Sequence, residues 1–289
     1  MSGPTKIEFK NGKGGKLVAD LWDGGGHPVM LLHGGGQTRH AWNKTAMRLR
    51  AAGLRAVTVD QRGHGDSDWD PDGDYSFAHY AEDAALIATE IARQYHVAPS
   101  AVGASLGGLA SLGAEIFHGP LLDSLVMVDI TPRMDQTGVA RVRGFMRENM
   151  HEGFETLEEA AEAIARYLPH RKRPDSLDGL RKNLRLHDDG RYRWHWDPAF
   201  MDETRGVRAD GQFYMEQTLE KLPQLHLPVL LVRGMNSEIV QEQHAREFLE
   251  LTPNSRLVDV GGAGHMVAGD RNDIFADAVM DFLAGEEAA

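Results

Sequence analysis

The chain has 289 residues, 42% hydrophobic and 26% charged, which suits a soluble globular protein of one large domain or a core with an insertion. Its formal net charge of −12 argues against nucleic acid as a partner, because duplex binders carry a basic stripe and the strongest basic run here, "HRKRP" at 170–174, is short and isolated. Cysteine is absent, which excludes disulfides, thiolate metal sites and cysteine nucleophiles.

From the N-terminus, "IEFKNGKGGKLVADLWDGGGHPVMLLHG" reads as three strands at about 5–10, 16–22 and 28–33, joined by glycine-rich turns. The opening "MSGPTKIEFKNGKGGKL" holds no apolar secretory core, and no stretch approaches the ~18 apolar residues of a membrane helix. The expectation is a cytoplasmic protein with no membrane partner. Residues 41–52 look helical, 54–60 form a β-branched buried strand, and 76–96 carry a capping serine before apolar positions at helical spacing. A strand ends at "VGAS", a helix follows in "LGGLASLGAEIF", and "SLVMVDI" at 124–130 is the next strand. After Pro132 the alternation stops, with charged helical segments and then the aromatic patch "RYRWHWDPAF". It resumes with a strand at 228–234, a helix near 241–251, a strand at 255–260 and a last helix from 272.

Short buried strands alternating with helices predict an α/β fold with a mostly parallel, doubly wound sheet covered on both faces. The interruption at 133–222 is not rich in Gly, Ser or Pro. It therefore reads as an inserted, mostly helical cap over the C-terminal strand ends, with 1–132 and 223–289 forming the core.

Three stretches carry the chemistry. Gly103-Ala104-Ser105-Leu106-Gly107 fits G-x-S-x-G between a strand and a helix. There a serine is either an N-cap or a nucleophile exposed on a strained turn. "LLHGGGQTRHAW" (31–42) ends a strand in His-Gly-Gly-Gly, a run whose amides can converge on one oxyanion. A dinucleotide loop is the competing reading, but Gly34 and Gly36 are followed by Arg39 where the third glycine belongs. In "VGGAGHMVAGD" (260–270), His265 follows the last strand with one helix remaining, the position of a catalytic base rather than of an arbitrary histidine among 14.

With "VDQRGHGDSD" (59–68), "VDITP" (128–132), "LLVRGMNSE" (230–238) and "GAGHMVAGDRND" (262–273) added in this order, the chain resembles the α/β-hydrolase fold superfamily from end to end. The resemblance implies a serine, acid, histidine order with Ser105 as nucleophile and His265 as base. It also implies an oxyanion hole from the Leu106 and Gly35 amides, a cap at 133–222, and no cofactor. Asp129 is favoured as the acid because Ser237 occupies the later-strand position where many relatives carry theirs; Glu238 beside it is the alternative. Within "DQRGHGDSD", Asp60 and Arg62 read as structural ties of a loop beneath the site.

Gly36, Trp194, Trp196 and Arg143 are candidate substrate contacts. The tryptophans can equally form the cap's own core, and Arg141, Arg143 and Arg147 can equally be a solvated helix face. No H-E-x-x-H occurs and "HDD" at 187–189 lies in a polar loop, so no metal is expected.

The leading expectation is a serine hydrolase of a small or medium carboxylic ester or lactone. Serine at 105 argues against epoxide hydrolase or dehalogenase chemistry, which needs a carboxylate there. The same triad can cleave C–C or C–N bonds or support perhydrolysis as haloperoxidase-like enzymes do, and a non-catalytic ligand-binding protein is the reading from another class. Whether the chain forms a homo-oligomer stays open at this stage.

Overall fold

A computed structural model describes residues 3–169, 176–207, 209–270 and 272–287; the basic run at 170–174 lies outside the described residues. Strands β1 (Thr5–Lys10), β2 (Lys16–Trp22), β3 (Pro28–Leu32) and β4 (Arg55–Val59) come first, with α1 (Asn43–Ala51) between the last two. Then follow α2 (Phe77–Tyr95), β5 (Ser100–Ala104), α3 (Leu106–His118) and β6 (Leu125–Val128). The interruption contains α4 (Gln136–Arg147), α5 (Leu157–Tyr167), β7 (Leu184–Leu186), β8 (Tyr192–Trp194) and α6 (Gly211–Lys221). The chain then runs through β9 (Val229–Gly234), α7 (Glu242–Leu251), β10 (Ser255–Val260), α8 (Val267–Asp270) and α9 (Asn272–Glu287).

Eight strands form one sheet in the order β1-β2-β4-β3-β5-β6-β9-β10. The first pairings, β1 with β2 and β2 with β4, are antiparallel, and all the later ones are parallel. Central strands such as β3 (PVMLL) and β6 (LVMV) are buried at every position, the pattern of a sheet covered on both sides. Alternate side chains feed two separate cores. Met30, Leu32, Met127 and Leu231 meet α2, α3 and α7, while Val29, Leu31, Val126 and Val232 meet α1 and α9. The edge strand β1 is largely exposed and starts and ends on polar residues.

The register positions the site. Leu32 pairs with Gly103, Ala104 with Val128, and Val128 with Val232, so β3, β5, β6 and β9 end level with one another. Every parallel strand therefore releases its following loop at the same edge of the sheet, where such folds bind ligands.

Three local features refine the sequence reading. A 3₁₀ turn at Arg39–Trp42 precedes α1, so the helix begins at Asn43. The segment read as a polar loop around "HDD" is the turn of the β7–β8 hairpin, with Gly190 at φ 79°. An Asp-Gly turn between short alternating runs was the available signal, but strands of three residues carry little pattern. Finally, α8 intervenes between His265 and α9, so two helical pieces rather than one follow the histidine.

The interrupting segment has a small core of its own, Phe154, Leu157, Ala160, Ala163 and Leu184. Its last helix, α6, instead packs on α2 and α3, where Tyr214 stacks on Phe77. Among the described residues no helix is long and apolar enough to cross a membrane.

Candidate active site

Ser105 joins β5 to α3 at φ 48° and ψ −115°, a left-handed conformation that costs about 1–3 kcal/mol and persists only where surrounding structure enforces it. That enforcement is close backbone packing. A Cβ on Gly103 would lie 2.4 Å from the Gly107 carbonyl oxygen, and one on Gly107 would lie 2.2 Å from that of Leu32. The serine occupies the N-cap position of α3 without a side-chain capping hydrogen bond, so the capping alternative does not describe it.

Asp129 follows β6 directly, is fully buried, and also has positive φ, 49°. Its Oδ2 accepts from His265 Nδ1 at 2.8 Å and from the Ser237 hydroxyl, and its Oδ1 accepts from the Gly234 amide at 2.8 Å. Three donors fix the carboxylate, and it fixes the imidazole with Nδ1 protonated and the Nε2 lone pair free for another proton. Ser237 accepts from the Ile239 and Val240 amides, each at 3.1 Å, which ties the loop after β9 to the same carboxylate. Glu238 is half-buried and is not the histidine's partner. Its Oε1 accepts from Tyr167 Oη at 3.4 Å, a contact with the interrupting segment; burial and the neighbouring carboxylate push this phenol well above its usual range.

The serine lies between this pair and the glycine loop. Its amide donates to the Val128 carbonyl at 3.2 Å, one residue before Asp129. On the other side a Cβ on Gly34 would lie 3.5 Å from Ser105 Cβ. Gln37 accepts from the Gly34 amide at 3.1 Å and reaches Met266, the neighbour of His265, at 3.8 Å. The Gly36 amide donates to His64 Nε2 at 3.1 Å. Among the described residues the amide between these two, on Gly35, has no partner, and Leu106 opens α3, where a helix leaves its first amides unbonded.

Residues of the interrupting segment lie against the glycine loop. Phe200 Cζ and Met146 Cε would lie 3.1 and 3.9 Å from a Cβ on Gly35, and Met146 Cε and Trp196 Nε1 would lie 3.0 and 3.7 Å from one on Gly36. Residues 195–197 pair with the 63–65 loop. The Gly65 amide donates to the His195 carbonyl and the Asp197 amide to the Gly63 carbonyl, each at 2.8 Å, and Tyr75 Oη donates to Asp197 Oδ2 at 2.5 Å.

The candidate substrate contacts separate accordingly. Trp196 and Gly36 lie at the site. Trp194 packs against Phe145 and Phe154 within the interrupting segment. Arg141 donates to the Tyr167 carbonyl, Arg147 pairs with Glu203 on the surface, and Arg143 is half-buried on the same helix.

Asp60 and Arg62 do tie the loop beneath the site. Asp60 bonds the Arg39 amide and guanidinium and the Asp66 amide, and Arg62 grips buried Asp83 with two bonds of 2.6 Å. The sequence reading missed Met146, Phe200, Ser237's hydrogen bond to Asp129, and the roles of His33 and His64. Only "HGGG" and "RGHG" themselves held a signal, since cap positions have no fixed spacing from the nucleophile.

The chain matches the family model for the alpha/beta hydrolase fold over residues 27–271, and it belongs to that family. It is 31% identical to Esterase Rv0045c of Mycobacterium tuberculosis, covering 98% of this chain and 91% of the relative. It is 28% identical to 2-(acetamidomethylene)succinate hydrolase of Mesorhizobium japonicum, covering 93% and 92%. A structure of the M. tuberculosis esterase superposes with a TM-score of 0.75 at 27% identity, over 98% of this chain and 93% of that one.

Proposed function

We propose that the protein is a serine hydrolase of carboxylic esters or lactones, working through an acyl-enzyme on Ser105. The observation that carries this reading is the His265 Nδ1–Asp129 bond of 2.8 Å beside a serine held in a left-handed turn with its hydroxyl unused as a cap.

In the mechanism, Ser105 Oγ attacks the ester carbonyl carbon while His265 Nε2 takes its proton, and Asp129 orients and stabilises the imidazolium. The carbonyl π pair moves onto oxygen, and the Gly35 and Leu106 amides donate to that oxyanion. Collapse expels the leaving alkoxide, which receives the proton from His265. A water, deprotonated by the same nitrogen, then attacks the acyl-enzyme and releases the acid and Ser105. No step calls on a metal or a cofactor.

The cap, residues 133–222 in this reading, supplies pocket walls and neither nucleophile nor base. Met146, Trp196 and Phe200 beside the oxyanion loop favour an apolar acyl or alcohol group of small to medium size. Similarity to an esterase supports the ester linkage. Similarity to a 2-(acetamidomethylene)succinate hydrolase supports a second reading, in which the same triad cleaves a C–N bond.

Labelling by a fluorophosphonate probe, beside a panel of nitrophenyl esters of increasing acyl length, tests the proposal. Wild type should label and turn over short to medium esters, and Ser105→Ala should do neither. A wild type that neither labels nor turns over, yet binds a small molecule tightly, would place the protein among ligand-binding members of the fold.

A further inference from the structure

Two buried histidines outside the triad grip the glycine loop from both ends. His33 and His64 are both fully buried. His64 Nε2 accepts from the Gly36 amide at 3.1 Å, which requires its proton to sit on Nδ1, from where it donates to the Arg62 carbonyl at 2.9 Å. His33 repeats the arrangement. Its Nε2 accepts from the Gln61 amide at 3.1 Å and its Nδ1 donates to the Gly34 carbonyl at 2.8 Å. Burial, with each ring's cationic or imidazole neighbour adding to it, pushes His33 down to about 4 and His64 to about 3, so both are neutral at physiological pH.

The Gly34 carbonyl and the Gly35 amide belong to one peptide plane, and in a trans peptide the C=O and N–H point opposite ways. A carbonyl drawn down onto buried His33 therefore turns the Gly35 N–H away from the core. His64 secures the next amide, Gly36, so that the plane cannot rotate from its other end. The His64 ring is itself held edge-on by Phe200 (centroids 5.0 Å apart) and tilted against His33 (5.1 Å). Its backbone bridges to Trp196 of the cap. One imidazole thus touches the oxyanion loop, the loop beneath it and the cap.

We infer that His64 is a positioning residue for the oxyanion hole: its unprotonated Nε2 holds the Gly36 amide and so keeps the Gly35 N–H aimed at the developing oxyanion. The inference rests on the ester-hydrolase reading above. Its consequence is specific to charge development. Losing the acceptor should weaken binding of the transition state while leaving ground-state ester binding alone.

The test compares His64→Phe, which keeps a ring but removes the acceptor, with His64→Gln, whose side-chain carbonyl can replace Nε2. Both are assayed on one nitrophenyl ester and with a trifluoromethyl ketone, which becomes a charged hemiketal on Ser105. His64→Phe should lower kcat by ~10–100-fold at unchanged KM and weaken the ketone in proportion, and His64→Gln should recover most of both. Equal loss in the two variants, a change confined to KM, or no loss in a folded His64→Phe overturns the proposal. If His64→Phe fails to fold, ¹⁵N NMR of histidine-labelled wild type decides, with the Nδ1–H tautomer supporting it and an Nε2–H tautomer or imidazolium overturning it. A wild type without Ser105-dependent turnover overturns the hydrolase reading, and this inference with it; active wild type with an indifferent His64→Phe overturns the inference alone.

Discussion

The turn that carries Ser105 and the 133–222 segment that meets the neighbouring glycine loop are held there by different kinds of contact. Around the serine, backbone packs on backbone, and the space at Gly103 and Gly107 does not admit one extra carbon. Over it, the 133–222 segment meets the glycine loop through side chains, Met146 and Phe200, and Tyr167 reaches Glu238, while its backbone bonds go to other loops, at Gly63 and Gly65 through His195 and Asp197, at Tyr75 through Arg205 and at Ile239 through Asp135. Backbone contacts are nearly indifferent to which surface residues surround them, so they suit chemistry that must not vary. Side-chain contacts can be exchanged one at a time, which suits a pocket that selects substrates.

If that division holds, the largest effect lies at Ser105. Ser105→Ala should lower ester turnover by roughly 10⁴–10⁶-fold with the fold and Tm retained. Near-wild-type kcat in a folded variant, measured after excluding contaminating esterase, would sink the assignment.

Next come the two carboxylates. Asp129 accepts from His265 whereas Glu238 faces Tyr167. Asp129→Asn should therefore lower turnover by ~10²–10⁴-fold, since an amide in that place supports the wrong tautomer. Glu238→Gln should stay within about tenfold of wild type, as expected of a group that holds a cap side chain by one long bond. The single mutants and the double, assayed on one ester, decide the matter, and a crippled Glu238→Gln would move the acid to the later strand.

Two glycines sharpen the contrast in stability rather than rate. Gly107→Ala drives a methyl into the Leu32 carbonyl, and chemical denaturation should show a loss of at least about 3 kcal/mol. Gly144, inside α4, has open space where a Cβ would go, so Gly144→Ala should gain about 0.5–1 kcal/mol through helix propensity. Equal responses at the two sites would erase the distinction.

The smallest effect is expected at Met146. Met146→Ala enlarges the space over Gly36 and should raise KM for a medium-chain ester about threefold to tenfold, with kcat nearly unchanged. A fall in kcat at constant KM would mean that Met146 acts on the glycine loop and not on the ground-state substrate.

Much of this architecture was legible in the sequence, for identifiable reasons. Strand positions could be read because buried parallel strands are short β-branched and apolar runs, and β3, β4, β6 and β9 fall within one or two residues of the expected bounds. The strained turn at Ser105 was legible because a left-handed turn under close packing requires small neighbours at fixed offsets, and the loop of His265 because it follows the last strand.

What the sequence could not decide was partnership across the sheet edge. Asp129 and Glu238 both follow strands that end level with one another, and composition treats them alike. Only the coordinates separate a carboxylate 2.8 Å from His265 Nδ1 from one that faces Tyr167. Trp194 and Trp196 are two residues apart in one aromatic patch, yet the first packs on Phe154 and the second lies beside Gly36. Likewise "HGGG" and "RGHG" named two glycine-flanked histidines without showing that both rings would hold the same loop. Local rules act over a few residues and therefore show in sequence. A hydrogen bond between residues 28 or 136 positions apart depends on how the strands are ordered and where each one stops, and that is settled only when the chain is folded.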